Sequence, residues 1–331
     1  MRSRTRAAAL ALVALVLAAC GGSAATLSPS PIPTRSQAAT AAPPTAAPAT
    51  EVPGSASPTV SPSPSPSGGV PAFDHVYVIV LENRSYSEIV GKSVAPYINS
   101  LVARYGLATN FYAETHPSEP NYIALTSGGL QGTNSDGTYN LTVPSIFDQV
   151  ETAGRTWHVY AQDYPGNCYK GSLVAGGIDG PGAAGEYARK HNPAISYASI
   201  SRDSARCANI TALAGFDPGA ANLEFIIPNQ INDMHSSRTN DGDAFLAAFV
   251  PKIINSPAFA NSVLFITWDE GVVDGTPGGH IATVVAAPGM PPGSRFSGSA
   301  NHYSILRTIE LAWGMPFLGQ AATASTLDFQ W

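Results

Sequence analysis

Acidic side chains follow directly after apolar runs at several places in this chain. The run Val76–Leu81 ends in Glu82, Asn83 and Arg84. Leu223–Ile227 leads into a segment carrying Asn232, Asp233 and His235. Val263–Thr267 ends in Trp268, Asp269 and Glu270, and Gly279-His280 enters another apolar run. If these runs are neighbouring parallel strands, Glu82, Asn83, Asp233, His235, Asp269, Glu270 and His280 meet at one rim. Four carboxylates with few basic residues nearby would repel one another without a cation. Oxygen ligands with imidazoles suit a hard or borderline divalent metal, whose identity this chemistry leaves open. A further segment, Thr115 to Tyr122, sets Ser118 between Pro117 and Pro120. The prolines restrict the turn and expose the hydroxyl. The segment after Asn121 reads as a helix start, whose free N–H groups favour an anion. A serine placed there could attack phosphorus. An ordinary Pro-rich turn before a helix has the same composition.

The elements that must position these residues alternate. Val76–Leu81, Thr156–Ala161, Leu223–Ile227, Ser262–Trp268 and Ile281–Ala287 read as buried strands. Val94–Tyr105, Ala244–Ile254 and Ser304–Trp313 read as helices, with Pro251 a kink or break in the second. The pattern predicts an α/β fold: a mostly parallel central sheet with helices on both faces. In such sheets ligands bind beyond the carboxyl ends of the strands.

Composition divides the chain into three. Residues 1–20 place Arg2, Arg4 and Arg6 before the apolar run Ala7–Leu17 and close on Ala18, Ala19 and Cys20. This is the form of an export signal, too short for a spanning helix of about 20 apolar residues. The Cys after Leu-Ala-Ala resembles a bacterial lipobox, which implies lipidation at Cys20 and anchoring to the outer face of the cell membrane. An ordinary secretory signal is the alternative. Residues 21–70 hold 11 of the 28 prolines and read as an extended, disordered stalk. Residues 71–331 form the body. Setting aside Arg2, Arg4, Arg6, Arg35 and Glu51 leaves 13 basic and 22 acidic residues there, a formal charge of −9. That acidity argues against nucleic acid as a partner. The body's two cysteines, Cys168 and Cys207, predict one disulfide in an exported protein, with two buried thiols as the alternative.

Six motifs in one order carry a resemblance. They are Glu82–Tyr86, His116–Tyr122, Lys190–Pro193, Asn229–His235, Thr267–Glu270 and His302–Glu310. Together they resemble a bacterial phosphoesterase family that contains acid phosphatases and phospholipases C and belongs to the alkaline phosphatase superfamily. The match covers about residues 73–315. The resemblance implies an alkaline-phosphatase-like sandwich. It implies a divalent metal held by Glu82, Asn83, Ser118, Asp269 and Glu270, the last at a position that is often Asp. It makes Ser118 the nucleophile. His116, His191, His235 and His280 surround the phosphoryl or leaving oxygens, with His235 or His280 as the acid, and Asn121 and Asn232 donate hydrogen bonds.

The activity so implied is hydrolysis of a phosphate ester through a phosphoserine, most simply an acid-phosphatase-like phosphomonoesterase. A phospholipase C-type phosphodiesterase is the alternative, although the C-terminal domains of such members are absent from this chain. A serine esterase of the α/β-hydrolase type would need a Gly-x-Ser-x-Gly elbow, which does not occur. A lipid-anchored binding protein without catalysis would be expected to lack Ser118 or a metal ligand.

Overall fold

The computed structural model describes residues 69–172, 186–272 and 275–331. The leader, Cys20 and nearly all of the stalk lie outside the described residues. Val70, placed at the end of the stalk by composition, is already part of the buried core. Among the described residues no helix is long and apolar enough to cross a membrane.

The first strand, β1 (His75–Leu81), explains the architecture. Its residues from Val76 onward are all buried, so it must be covered on both faces and flanked on both edges. On one side it pairs in parallel with β5 (Leu223–Ile227), and on the other with β6 (Ser262–Trp268). Beyond β5 lie β3 (Trp157–Ala161) and then β4 (Ile210–Ala212), both parallel. Beyond β6 come β7 (Thr283–Ala286), β2 (Gly106–Ala108) and β8 (Ser294–Phe296), completing an eight-stranded sheet. Only β7 runs against the rest, antiparallel to both β6 and β2. Its start therefore lies at the rim where β1, β5 and β6 end. This corrects the expectation that parallel neighbours bring His280 to the rim: preceding its strand, His280 would lie at the opposite end of a parallel β7, and only the antiparallel direction places it here.

Helix α2 (Pro96–Arg104) packs on α7 (Thr239–Ile254), while α3 (Ser118–Ser127) packs on α8 (His302–Ala312) and on α4 (Ile146–Thr152). These groups cover the sheet faces, and three single-turn helices, α1 (Tyr86–Ile89), α5 (Ala198–Ser201) and α6 (Ser204–Cys207), lie in the connections. The start of α2 is capped from a distance: Asp243 of α7 accepts from the amides of Tyr97 (3.1 Å) and Ile98 (2.8 Å). Helix α7 begins five residues before the predicted start and runs on through Pro251. That proline sits in the last turn; it gives up the hydrogen bond to the Ala247 carbonyl, and the helix stops at Ile254 soon after it.

Helix α3 starts at Ser118, ahead of the start predicted after Asn121. Pro120 falls in its first turn, where an N–H would have no intrahelical partner in any case. The helix ends at Gly128, whose φ is +71°; a Cβ there would lie 2.1 Å from the Leu318 carbonyl oxygen. Cys168 and Cys207 form a disulfide with Cα atoms 5.6 Å apart. In the chain-entropy picture, closing a loop of this length is worth ~4 kcal/mol.

Candidate active site

Backbone bonds stitch the ends of three strands together before any side chain is considered. The Glu82 amide donates to the Asp233 carbonyl (2.8 Å), and the Asp269 amide donates to the Leu81 carbonyl (2.9 Å). Glu82, Asp233 and Asp269 thus emerge side by side at the carboxyl rim of β1, β5 and β6, each almost fully buried. Asn83 has φ +55°, a left-handed conformation that Asn tolerates. This turn brings its amide to Asp269 Oδ1 (3.1 Å) and its side-chain nitrogen to Glu82 Oε2 (3.1 Å).

Ser118, the first residue of α3, comes down onto this rim. Its Oγ lies 3.0 Å from Glu82 Oε2 and 3.3 Å from Glu270 Oε1. One hydroxyl proton cannot satisfy both carboxylates, so the arrangement calls for an additional proton or a cation. Glu270 also meets His116 Nδ1, and Tyr122 donates its hydroxyl to Glu82.

The electrostatics point the same way. Burial, reinforced by Asp269 and Asp233, pushes the Glu82 carboxyl well above the ordinary range. Burial likewise raises Asp233 and Asp269. Glu270 is pushed up to about 8 by burial and then by Asp269. Asp269 Oδ2 is buried without a hydrogen-bond donor, and Asp233 Oδ2 faces only a ring nitrogen of His191 at ion-pair distance, without hydrogen-bond alignment. Such a group of carboxylates fits a divalent cation. Glu82 also belongs to a second possible ligand group, with His191 and His235, whose ligand atoms lie within 4.8 Å of one another.

The predicted histidines occupy different settings. His191 is buried, with Nε2 3.2 Å from Glu82 Oε1 and Nδ1 3.0 Å from Asp233 Oδ2. The Nε2 contact lacks hydrogen-bond alignment, and the nitrogen is left without a hydrogen-bond partner. Burial, then Lys190 and His235, hold the His191 pKa well below the usual value. His235 sets Nδ1 3.0 Å from Ser236 Oγ and Nε2 3.2 Å from Lys190 Nζ. His280 stacks between Tyr86 and Tyr112, with Nε2 3.1 Å from the Thr109 carbonyl. No described hydrogen bond joins it directly to Ser118 or to the carboxylates.

The two predicted amides have structural duties. Asn121 accepts from the amides of Glu114 and Thr115 through Oδ1 and donates to the Thr115 and Pro117 carbonyls through Nδ2. It shapes the loop before Ser118, and its bonding capacity is used there. Asn232 donates to Gln162 Oε1 (2.9 Å) and lines a groove of about 540 Å³ with Ser236, Ser237 and Arg238.

Residues without a predicted role also contribute. Tyr122 and Lys190 lie inside quoted motifs and escaped assignment because their partners are remote in sequence. Glu119 forms a buried ion pair with Arg189 (3.1 Å) and accepts from Ser196 Oγ (2.9 Å), anchoring α3 immediately behind Ser118. His302 is buried between Glu114 and the Trp268 carbonyl (2.9 Å). It ties the loop before Ser118 to the strand end before Asp269.

A sheet of this order, with a helix-borne serine over clustered carboxylates at its carboxyl rim, defines a class of α/β hydrolytic enzyme distinct from those with a Gly-x-Ser-x-Gly elbow. The fold is that of the alkaline phosphatase superfamily. A member of that superfamily from Vibrio parahaemolyticus superposes with a TM-score of 0.51 over 81% of this chain and 74% of its own, at 13% identity. Residues 92–316 match the Phosphoesterase family. A phosphatidylinositol-3-phosphatase of Mycobacterium tuberculosis is 34% identical over 80% of this chain and 85% of its own length. An acid phosphatase of Aspergillus fumigatus is 29% identical over 75% of this chain, which spans 57% of that relative. The chain belongs to the Phosphoesterase family and is a hydrolase acting on phosphoric ester bonds.

Proposed function

We propose that this protein is a metal-dependent phosphomonoesterase that works through a phosphoserine at Ser118. The observation that carries the reading is the position of Ser118 Oγ, within hydrogen-bond reach of both Glu82 and Glu270 at the start of a helix. Relatives that are phosphatases acting on a phosphoinositide or as acid phosphatases support monoester chemistry, including a phosphorylated lipid head group as substrate.

A divalent metal held by Glu82, Asn83, Ser118, Asp269 and Glu270 would stabilise the serine alkoxide and the negative charge on phosphoryl oxygens. The alternative group of Glu82, His191 and His235 is less suited, because the Lys190 ammonium already stands against His235 Nε2.

The residues of the chain then divide the work. Ser118 Oγ forms the bond to phosphorus, its proton passing to an adjacent carboxylate, as the bond to the leaving oxygen breaks. A histidine supplies the proton to the leaving alcohol: His280 or, through Nδ1 because Nε2 faces the Lys190 ammonium, His235. Water then cleaves the phosphoserine and releases phosphate. Positioning by the fixed helix and strand ends provides much of the acceleration. The test is incubation with a ³²P-labelled monoester followed by rapid acid quench. Label should be trapped on Ser118, and absence of any protein-bound label under turnover would refute the phosphoserine. The leader supports export as a lipoprotein; a Cys20→Ala variant should then be released from membranes, and retention would count against that anchor.

A further inference from the structure

Basic residues are scarce around this rim, and most of those present are committed. Arg189 is buried and gives its guanidinium to Glu119 and to the carbonyls of Gly137 and Tyr139. Arg84 bonds the carbonyls of Asn83 and Ser237 and the Thr239 hydroxyl. Lys190 differs. Its side chain is 20% exposed, and Nζ lies 2.9 Å from Asp136 Oδ2 and 3.2 Å from His235 Nε2. An ammonium only donates, so these two contacts use two of its three N–H groups, and His235 Nε2 must accept.

Asp136 determines where this charge sits. While Oδ2 takes Lys190, its Oδ1 accepts from the Glu119 amide (3.0 Å), in the first turn of α3. A single carboxylate therefore ties the ammonium to the residue after Ser118. The same bond removes the Glu119 amide from service as an anion donor, and Pro120 has none to offer. The helix start that carries Ser118 thus has Lys190 in place of much of its usual amide cluster.

Resting on the phosphomonoesterase reading above, we infer that Lys190 is the substrate-binding cation that selects dianionic phosphomonoesters over diesters, and that Asp136 is its positioning residue. A monoester dianion offers an additional charged non-bridging oxygen to the remaining N–H. A diester replaces that oxygen with a second ester group, which cannot compensate a desolvated ammonium. Removal of Lys190 should therefore penalise monoesters more than diesters.

The experiment compares 4-nitrophenyl phosphate with bis(4-nitrophenyl) phosphate for wild type, Lys190→Met, Lys190→Arg and Asp136→Asn. Lys190→Met should lower kcat/KM for the monoester by roughly 10–100-fold, the range of a charge-assisted hydrogen bond, and lower the diester value several-fold less. It should also weaken inhibition by inorganic phosphate. Lys190→Arg should retain most of the monoester preference. Asp136→Asn, which keeps an acceptor for the Glu119 amide, should shift the ratio in the same direction by a smaller factor and provides the test if Lys190→Met does not fold. An unchanged ratio in either folded variant, with active wild type, overturns the Lys190 assignment alone. A wild-type protein that cleaves neither ester, with its divalent metal supplied, overturns the reading of the site and this inference with it.

Discussion

Both ends of the central sheet bury carboxylates, and they accommodate them in opposite ways. Near the start of β5, Glu224 is fully buried and accepts from the amides of Gly219 and Ala221, each at 3.0 Å. Fixed backbone donors satisfy that oxygen, and no other carboxylate hydrogen-bonds to it. Burial still raises its pKa to about 7. At the carboxyl rim, burial raises Glu82, Asp233, Asp269 and Glu270, and the Asp269 charge raises the other three further. The far end holds a single buried acid, with Oε1 on two amides of the chain and only Oε2 left without a donor. The rim gathers four carboxylates against one another, which is what a site for a cation and a phosphate requires.

The largest effect expected from breaking this contrast is at the rim. Ser118→Ala should lower kcat/KM by at least ~10³-fold with thermal stability nearly unchanged. A variant with more than a tenth of wild-type activity would remove the serine from the mechanism. Asp269→Asn should cost roughly 10²-fold in activity and yet raise Tm by a few degrees in chelator-treated protein, because one repelling charge is gone. A drop in Tm under chelation would mean that the carboxylate cluster is satisfied without a metal. Addition of chelator to wild type should itself remove activity, and divalent metal should restore it.

At the far end the sign is set by linkage. The folded pKa of Glu224 lies above that of an unfolded glutamate, so the folded state binds the extra proton. The associated stability is full below about pH 4.5 and is lost as pH rises through about 7. Glu224→Gln should therefore stabilise the protein by on the order of 1–3 kcal/mol at pH 8, by little at pH 4.5, and leave kcat unchanged. Urea unfolding at the two pH values measures this, and an equal effect at both would contradict it. The smallest effect is expected for Tyr122→Phe, which takes a donor from Glu82. About 1 kcal/mol in stability and a several-fold fall in kcat are expected.

How much of this was legible depended on the range of the interaction. Strands β1, β5 and β6 were readable because they are buried on both faces and hence mostly apolar, Glu224 being the charged exception, and β5 and β6 were bounded correctly. β2, β4 and β8 have three residues each, too few to show a period. The direction of β7 leaves no mark on composition, since an antiparallel strand covered on both faces is as apolar as a parallel one. Glu82, Ser118, Asp269 and Glu270 were named from strand ends and motifs, and the structure brings them together. The commitment of Asn121 to its own loop was hidden because an amide that shapes a turn and one that binds an oxyanion are the same residue type. Lys190 and Asp136 are 54 positions apart, and only the fold makes them partners.

The reversal of β7 has a consequence for how this enzyme can change. Because β6 leaves and β7 re-enters at the same rim, the connection from Gly271 to Gly279 departs from and returns to the mouth of the site. Extra chain spliced into it would not have to cross the sheet, and the entropic cost of lengthening a surface connection grows only slowly. New substrate-covering structure can therefore be acquired at that point, by evolution or by grafting, while the strands that hold the carboxylates keep their register.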